Sequence, residues 1–161
     1  MAGQQDAPFK LPSIYQLGYV VADVEKVAKR YESALDIGPF VGPFIVPMKK
    51  AIFMGRTVST RIKTAFAKSG DIQIELIQPL DGENPYTEFL AKKGEGIHHL
   101  GFKVDDIDQA AAGLAKRGMQ PFFSGDLVVM KFAYYDTAEL GGAGHGAAVG
   151  EDRDITKEGL R

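Results

Sequence analysis

Residues Gln16-Leu17-Gly18-Tyr19-Val20-Val21-Ala22-Asp23 recur as His99-Leu100-Gly101-Phe102-Lys103-Val104-Asp105-Asp106, ungapped, at an offset of 83 positions. Leu, Gly, Val and Asp return in identical places, and an apolar pattern at helical spacing follows each copy. Internal repetition of this kind constrains architecture before any local propensity does. The first residue of each copy, Gln16 or His99, is also a side chain able to bind a metal. A repeated strand that begins with a ligand predicts a site on a pseudo-twofold axis.

A chain of 161 residues can hold one domain with a real core, or two small modules sharing one. Hydrophobic residues make up 45% and charged residues 25%, which are ordinary globular values and argue against gross disorder. A formal net charge of −2 gives no reason to expect nucleic acid or a membrane surface as partner. No apolar run approaches the ~20 residues of a spanning helix, and the polar start Met1 to Ala7 has no signal-peptide core. There is no cysteine, hence no disulfide framework and no thiolate ligand or nucleophile. The default expectation is a cytoplasmic protein.

Residues 1–13 read as a loose leader. Ile14 to Val21 reads as a strand, and Asp23 caps a helix carrying Val24, Val27, Ala28, Tyr31 and Leu35 that should stop near Gly38-Pro39. Phe40 to Val46 and Ala51 to Met54 are expected as two strands around a Pro47-Met48-Lys49-Lys50 turn. Thr57 to Ala67 and Ile72 to Gln78 follow as strands, parted by a turn at Ser69-Gly70-Asp71. Residues 81–96 form a linker with a short helix that starts at Pro85. Ile97 to Val104 repeats the first strand, Asp106 caps a second helix ended by Gly118, and Phe122-Phe123, Leu127 to Met130 and Lys131 to Tyr135 follow as short strands. The reading is an α+β protein of two tandem βαβββ modules, residues 14–80 and 97–150, with a tail at 151–161.

Within Asp71 to Ile77, alternation puts Ile72, Ile74 and Leu76 on one face and Gln73, Glu75 and Ile77 on the other. A carboxylate in so apolar a strand is costly to bury unless it is paired or meets a cation; the plainer reading is a solvent-facing Glu75. His98 and His99 are adjacent and should point to opposite faces. The repeat selects His99, which takes the place of Gln16 as Gly101 takes that of Gly18. A lone strand histidine is more often a hydrogen-bonded core residue than a ligand.

The segments Tyr15-Gln16-Leu17-Gly18-Tyr19-Val20-Val21, Ile74-Glu75-Leu76-Ile77-Gln78-Pro79, Gly96-Ile97-His98-His99-Leu100-Gly101-Phe102 and Phe132-Ala133-Tyr134-Tyr135-Asp136-Thr137 together resemble the vicinal oxygen chelate superfamily. That superfamily includes glyoxalase I, methylmalonyl-CoA epimerase, extradiol dioxygenases and the bleomycin and fosfomycin resistance proteins. The resemblance runs from about Ile14 to Gly142, and the His98-His99 segment is most like the epimerase branch. It implies two βαβββ modules curling their sheets into a cup around one divalent metal, with ligands from the first and last strand of each module. Carried over, Gln16, Glu75 and His99 are three of the ligands, and mixed oxygen and nitrogen donors suit Zn, Ni, Co, Mn or Mg. Members often form dimers, so a homodimer is implied.

The fourth ligand of the family is a Glu on the last strand. Counted from the glycine turn, its place falls at Gly146, in a Gly- and Ala-rich stretch, Gly141 to Gly150, of poor strand propensity. His145 stands one residue away. It can substitute as ligand and base through a bulge, or it can be a solvent-exposed histidine. Glu139 and Glu151 are more remote.

Three functions follow from the resemblance. The first is a metal-dependent isomerase or lyase, glyoxalase- or epimerase-like, that stabilises an enolate of a small carbonyl or thioester substrate. Its base is Glu75 or His145. The substrate would sit among Phe40, Phe53, Phe66 and Tyr134, with Arg56 or Arg61 meeting an anionic group. The second is a metal-free small-molecule binding or resistance protein using the same cup. The third, an Fe(II) dioxygenase, calls for two histidines and a carboxylate, and Gln16 in the first ligand place counts against it.

Overall fold

Each copy of the repeated strand leads into a helix through the same cap. In the computed structural model, which describes residues 8–140 and 146–152, Asp23 accepts a hydrogen bond from the Lys26 amide at 3.0 Å and Asp106 one from the Gln109 amide at 2.9 Å. These carboxylates satisfy amides that a helix start leaves open and place negative charge at its positive end. The elements run β1 (Ile14–Val20), α1 (Val24–Leu35), β2 (Val41–Phe53), β3 (Arg56–Ser69) and β4 (Ile72–Asp81). They continue through α2 (Pro85–Lys93), β5 (Gly96–Lys103), α3 (Ile107–Ala115), β6 (Pro121–Asp126), β7 (Met130–Tyr135), a 3-10 turn (Ala138–Leu140) and β8 (Gly146–Asp152). The second helix starts as expected, with Pro85 in its first turn behind an Asn84 cap.

The strands close into one curved mixed sheet in the order β1-β4-β3-β2-β6-β7-β8-β5. β1 lies parallel to β4 and β5 parallel to β8, while β1 and β5 run antiparallel to each other. On the opposite side the closure is short: Ile52 and Phe53 of β2 pair with Ser124 and Phe123 of β6, and the Met54 amide donates to the Phe122 carbonyl at 2.8 Å. Helix α1 covers the outer face of β4 through Val24 and Ala28 against Ile74 and Leu76. Helix α3 covers β8 through Ile107 and Leu114 against Val149. Inside, Phe53, Phe123, Ile77, Tyr86 and Phe89 fill one end of the barrel. Burying these large apolar side chains is the main force holding the fold, each contributing on the order of 1.5–3 kcal/mol.

Four local expectations need correction. Pro47 to Lys50 is not a turn: β2 runs straight through it with a bulge between Met48 and Ala51. The hairpin turn is Met54-Gly55 instead, both at positive φ, which is the two-residue geometry that matches strand twist. Leu127 to Met130 is not a strand of its own: Leu127 to Val129 form the β6–β7 loop and Met130 opens β7, the Leu127 amide donating to the Met130 carbonyl at 2.8 Å. The third correction is β8, which forms despite its glycines and alanines and extends two residues into the expected tail. It is a central strand, laddered to β5 on one side and β7 on the other, and that pairing overrides propensity. A Cβ at Gly146 would meet the Tyr135 carbonyl oxygen at 2.4 Å, so the close approach of β7 uses the missing side chain.

The fourth concerns His98. The register between β1 and β5 shifts between Gly18 and Tyr19, opposite His99 and Ile97, so His98 is the extra residue of a bulge. A bulge suspends alternation. His98 and His99 are both buried, between exposed Ile97 and Leu100, and both rings pack against the inward Tyr134.

Candidate metal and substrate site

The centre of the site is the crossing of β1 and β5. Gly18 stands opposite His99 and Gly101 opposite Gln16. A Cβ on Gly18 would lie 2.0 Å from His99 Cε1, and one on Gly101 would lie 2.8 Å from Gln16 Oε1. Each potential donor therefore rests in the space left by the other copy's glycine. The recurrence of Gly two residues after Gln16 and His99 follows from this reciprocal fit.

Glu75 enters from β4, which pairs Glu75 with Gly18 in parallel. Its Oε2 lies 3.5 Å from His99 Nε2, and Gln16 Oε1 lies 3.3 Å from the same nitrogen. The other atoms of these side chains are tied elsewhere. Gln16 Nε2 donates to Gln73 Oε1 at 2.7 Å, which turns Gln16 Oε1 toward His99. The Thr64 hydroxyl is shared between Glu75 Oε1 at 3.2 Å and the Leu76 carbonyl at 2.9 Å. His99 Nδ1 sits 3.1 Å from His98 Nδ1. Such outer contacts orient ligands and fix imidazole tautomers.

The spacing of Gln16, Glu75 and His99 suits a shared cation. Donors about 2.0–2.2 Å from one Zn-like ion stand roughly 3.0–3.5 Å from each other, and the observed separations of 3.3 and 3.5 Å fall in that span. The set has one amide among its donors. Among the described residues, no three His, Cys, Asp or Glu side chains come together.

Register also locates the partner of Glu75, and it is not Gly146. Gly18 pairs with Glu75, and its repeat mate Gly101 pairs with Ala148. Gly146 instead pairs with His99, as Gln73 pairs with Gln16. Counting from the glycine turn missed by two residues because ladder pairing, not loop length, sets register. The position equivalent to the Glu75 carboxylate thus carries a methyl group. His145 lies outside the described residues. Glu139 is exposed on the 3-10 turn, and Glu151 accepts from the Ile107 amide at 2.8 Å, so neither enters the barrel.

A cavity of about 660 Å³ opens beside these donors, with Phe44, Met48, Phe66 and Phe132 among its apolar walls. Phe66 and Tyr134 line it as expected. Phe53 does not: it packs edge-on to Phe123 at 5.8 Å in the filled end of the barrel. Phe40 packs outside, against Tyr31 of α1. Arg61 alternates with the inward Thr60 and Ile62, so it points out and pairs with Asp81, while Arg56 pairs with Glu83. Anionic groups at the mouth would meet Lys68 or Lys103 instead, the latter already paired with Asp152.

Tyr86 and Tyr134 escaped the sequence reading as a pair. Their hydroxyls are 2.7 Å apart, and the Tyr134 ring centre is 4.8 Å from that of His99. Burial pushes both phenols above their ordinary pKa, and the nearby Glu75 charge adds to it. Tyr15, at the same cavity, is pushed up to about 12, first by burial and then by Glu75 and Asp152. The family resemblance put Tyr134 beside the substrate, and nothing local in α2 marks Tyr86 as its neighbour.

Residues 15–134 match the family model of the glyoxalase/bleomycin resistance protein/dioxygenase superfamily. The chain belongs to this superfamily. Its relatives in the superfamily include the mitochondrial methylmalonyl-CoA epimerase of Mus musculus, 30% identical over 116 residues that cover 71% of this chain and 58% of that protein. The chain spans about half the length of the curated relatives it matches. Among solved structures, methylmalonyl-CoA epimerase from Mycobacterium tuberculosis aligns with a TM-score of 0.68 at 19% identity, covering 92% of this chain and 93% of the other. A methylmalonyl-CoA epimerase in complex with methylmalonyl-CoA and NH4+ aligns with a TM-score of 0.66 at 16% identity, covering 91% and 98%. At these identities the structural likeness establishes the shared superfamily fold of a closed, curved eight-stranded sheet with few helices.

Proposed function

We propose that this protein is a metal-dependent isomerase or lyase, epimerase- or glyoxalase-like, that removes a proton α to the carbonyl of a small ketone or thioester. The observation carrying this reading is the convergence of Gln16 Oε1, Glu75 Oε2 and His99 Nε2 beside a largely apolar cavity. The epimerase relatives support the reaction class. In this reading residues 14–80 and 97–150 are tandem modules, and the protein acts as a homodimer.

Gln16, Glu75 and His99 would hold a divalent ion. When bound, it supplies Lewis-acid stabilisation of charge developing on the carbonyl oxygen. The remaining work falls to the chain. Glu75 carries the proton: of the two carboxylates that line the cavity among the described residues, Asp152 is ion-paired to Lys103 at the half-exposed mouth, whereas Glu75 is 13% exposed at depth. Thr64 holds Glu75 Oε1, and Phe66 and Phe132 exclude water around the substrate's carbon body.

The test is metal content after purification without chelators, for wild type and for Glu75→Ala and His99→Ala, together with solvent deuterium incorporation at the α-carbon of a thioester panel. Stoichiometric metal lost in both variants, with exchange lost in Glu75→Ala, supports the reading. A metal-free wild type that catalyses no exchange overturns it. The rival is a metal-free small-molecule binding protein, and Ala148 is the observation that favours it, since the second half offers no carboxylate there.

A further inference from the structure

We propose that the hydroxyl pair of Tyr86 and Tyr134 is an oxyanion-binding site, donating a hydrogen bond to a negatively charged oxygen of the ligand where Ala148 offers no polar group. The inference rests on the cavity being the place of substrate binding proposed above, and it adds the ligand chemistry: a planar carbon body bearing an enolate- or phenolate-like oxygen.

The argument begins with protons. Two neutral phenols hold two, and at ordinary pH both are present. One closes the 2.7 Å bond between the hydroxyls. The accepting hydroxyl keeps its own proton, and among the described residues neither hydroxyl makes another hydrogen bond. Tyr86 is 2% exposed and Tyr134 6% exposed, so leaving that donor unsatisfied is costly. Both residues line the cavity, so the spare proton can be offered to a ligand held there.

The neighbours decide the sign of that acceptor. Glu75 Oε1 is engaged by Thr64, and Gln16 Oε1 and Glu75 Oε2 face His99 Nε2. Tyr134 pairs across the sheet with Ala148, as Phe66 pairs with Glu75 in the other half. The phenol thus stands beside the place where a carboxylate is missing, and a donor in that place suits an anionic oxygen. Bonds to charged oxygens are about twice as strong as neutral ones. No proton is transferred in this role. The α C–H bond breaks toward the base, its electron pair moves to the carbonyl oxygen, and the phenol stays protonated and donates to that oxygen.

The experiment compares binding of 4-nitrophenolate with that of its uncharged analogue 4-nitroanisole, for wild type, Tyr86→Phe, Tyr134→Phe and the double variant. Each is measured with metal removed by chelator and again with metal restored, near-ultraviolet circular dichroism checking the fold. Wild type should prefer the phenolate by about tenfold or more, and the double variant should lose the preference while anisole binding stays within about twofold. One single variant, the one removing the outward proton, should carry most of that loss. If the double variant fails to fold, the singles decide: preference kept in both overturns the proposal, as does its absence in wild type. Preference that survives metal removal in a protein without α-proton exchange sinks the isomerase reading and leaves this inference standing.

Discussion

Glu75 and Ala148 hold equivalent places in the sheet, each paired in parallel with the glycine of one repeat, Gly18 or Gly101. One supplies a carboxylate and the other a methyl group, so the two halves of the barrel contribute unequally to a site that lies between them. Ala148→Glu should therefore add a donor facing Gln16, Glu75 and His99. Outer-shell contacts alone change metal affinity by about 10–100-fold, so a new direct donor should tighten Zn binding by at least about tenfold in a competition titration against a chelator. Unchanged affinity would show that the two positions do not face the same point.

Gly18→Ala tests the seat of His99. A Cβ there would lie 2.0 Å from the imidazole, so the ring must leave its position. Overpacking of this kind costs about 1–3 kcal/mol, readable in urea denaturation, and metal affinity should fall with it. Gly96→Ala is the control, since a Cβ there meets nothing within 4 Å and should change neither property.

Thr64→Val keeps the shape of a buried side chain and removes the hydroxyl that Glu75 and Leu76 share. Stability should drop by about 1 kcal/mol. Metal affinity should fall by about tenfold to a hundredfold because Glu75 loses its orienting contact. A fall in stability with no change in affinity would assign Thr64 to the fold alone.

The phenols predict the alkaline limit. Tyr31 is pushed up to about 12, mainly by burial between α1 and the sheet, and Tyr86 is raised by burial within the barrel. In the unfolded chain both would ionise near pH 10. The native state thus keeps its protons where the unfolded state releases them. The associated stability is complete below about pH 10 and is lost as pH rises toward the native values. Melting temperature should fall steadily above pH 10, with phenolate absorbance appearing together with unfolding. Full ionisation of all tyrosines near pH 10 in protein that stays folded would contradict this.

Much of the site was legible because identity at a fixed offset needs no knowledge of register. It singled out Gln16, His99 and the two glycines, and charge in an apolar strand singled out Glu75. The structure brings these three side chains together. Three things were out of reach for one physical reason, that strand pairing is a long-range property. The β1–β5 bulge turned His98 inward against the rule of alternation. Ladder register, invisible across a loop of different length, made Ala148 and not Gly146 the counterpart of Glu75. Pairing on both sides made a strand of Gly146 to Asp152 although its residues have little preference for one. Of the expected cavity residues, Phe66 and Tyr134 line the cavity, whereas Phe53 sits too deep and Arg61 faces outward.

The uneven closure of the barrel has a mechanical meaning. Along β1 and β5 the halves are stitched from Ile14 to Val20, while across β2 and β6 the seam is shorter, Ile52 and Phe53 pairing with Ser124 and Phe123 and the Met54 amide bonding the Phe122 carbonyl. A sheet joined in this way behaves like a book, with a firm spine and a loose fore-edge. Gln16 and His99 sit on the spine and Glu75 on the strand beside it, so widening the fore-edge to admit a molecule moves them least. The three side chains thus stand on the continuous part of the sheet, away from its short seam.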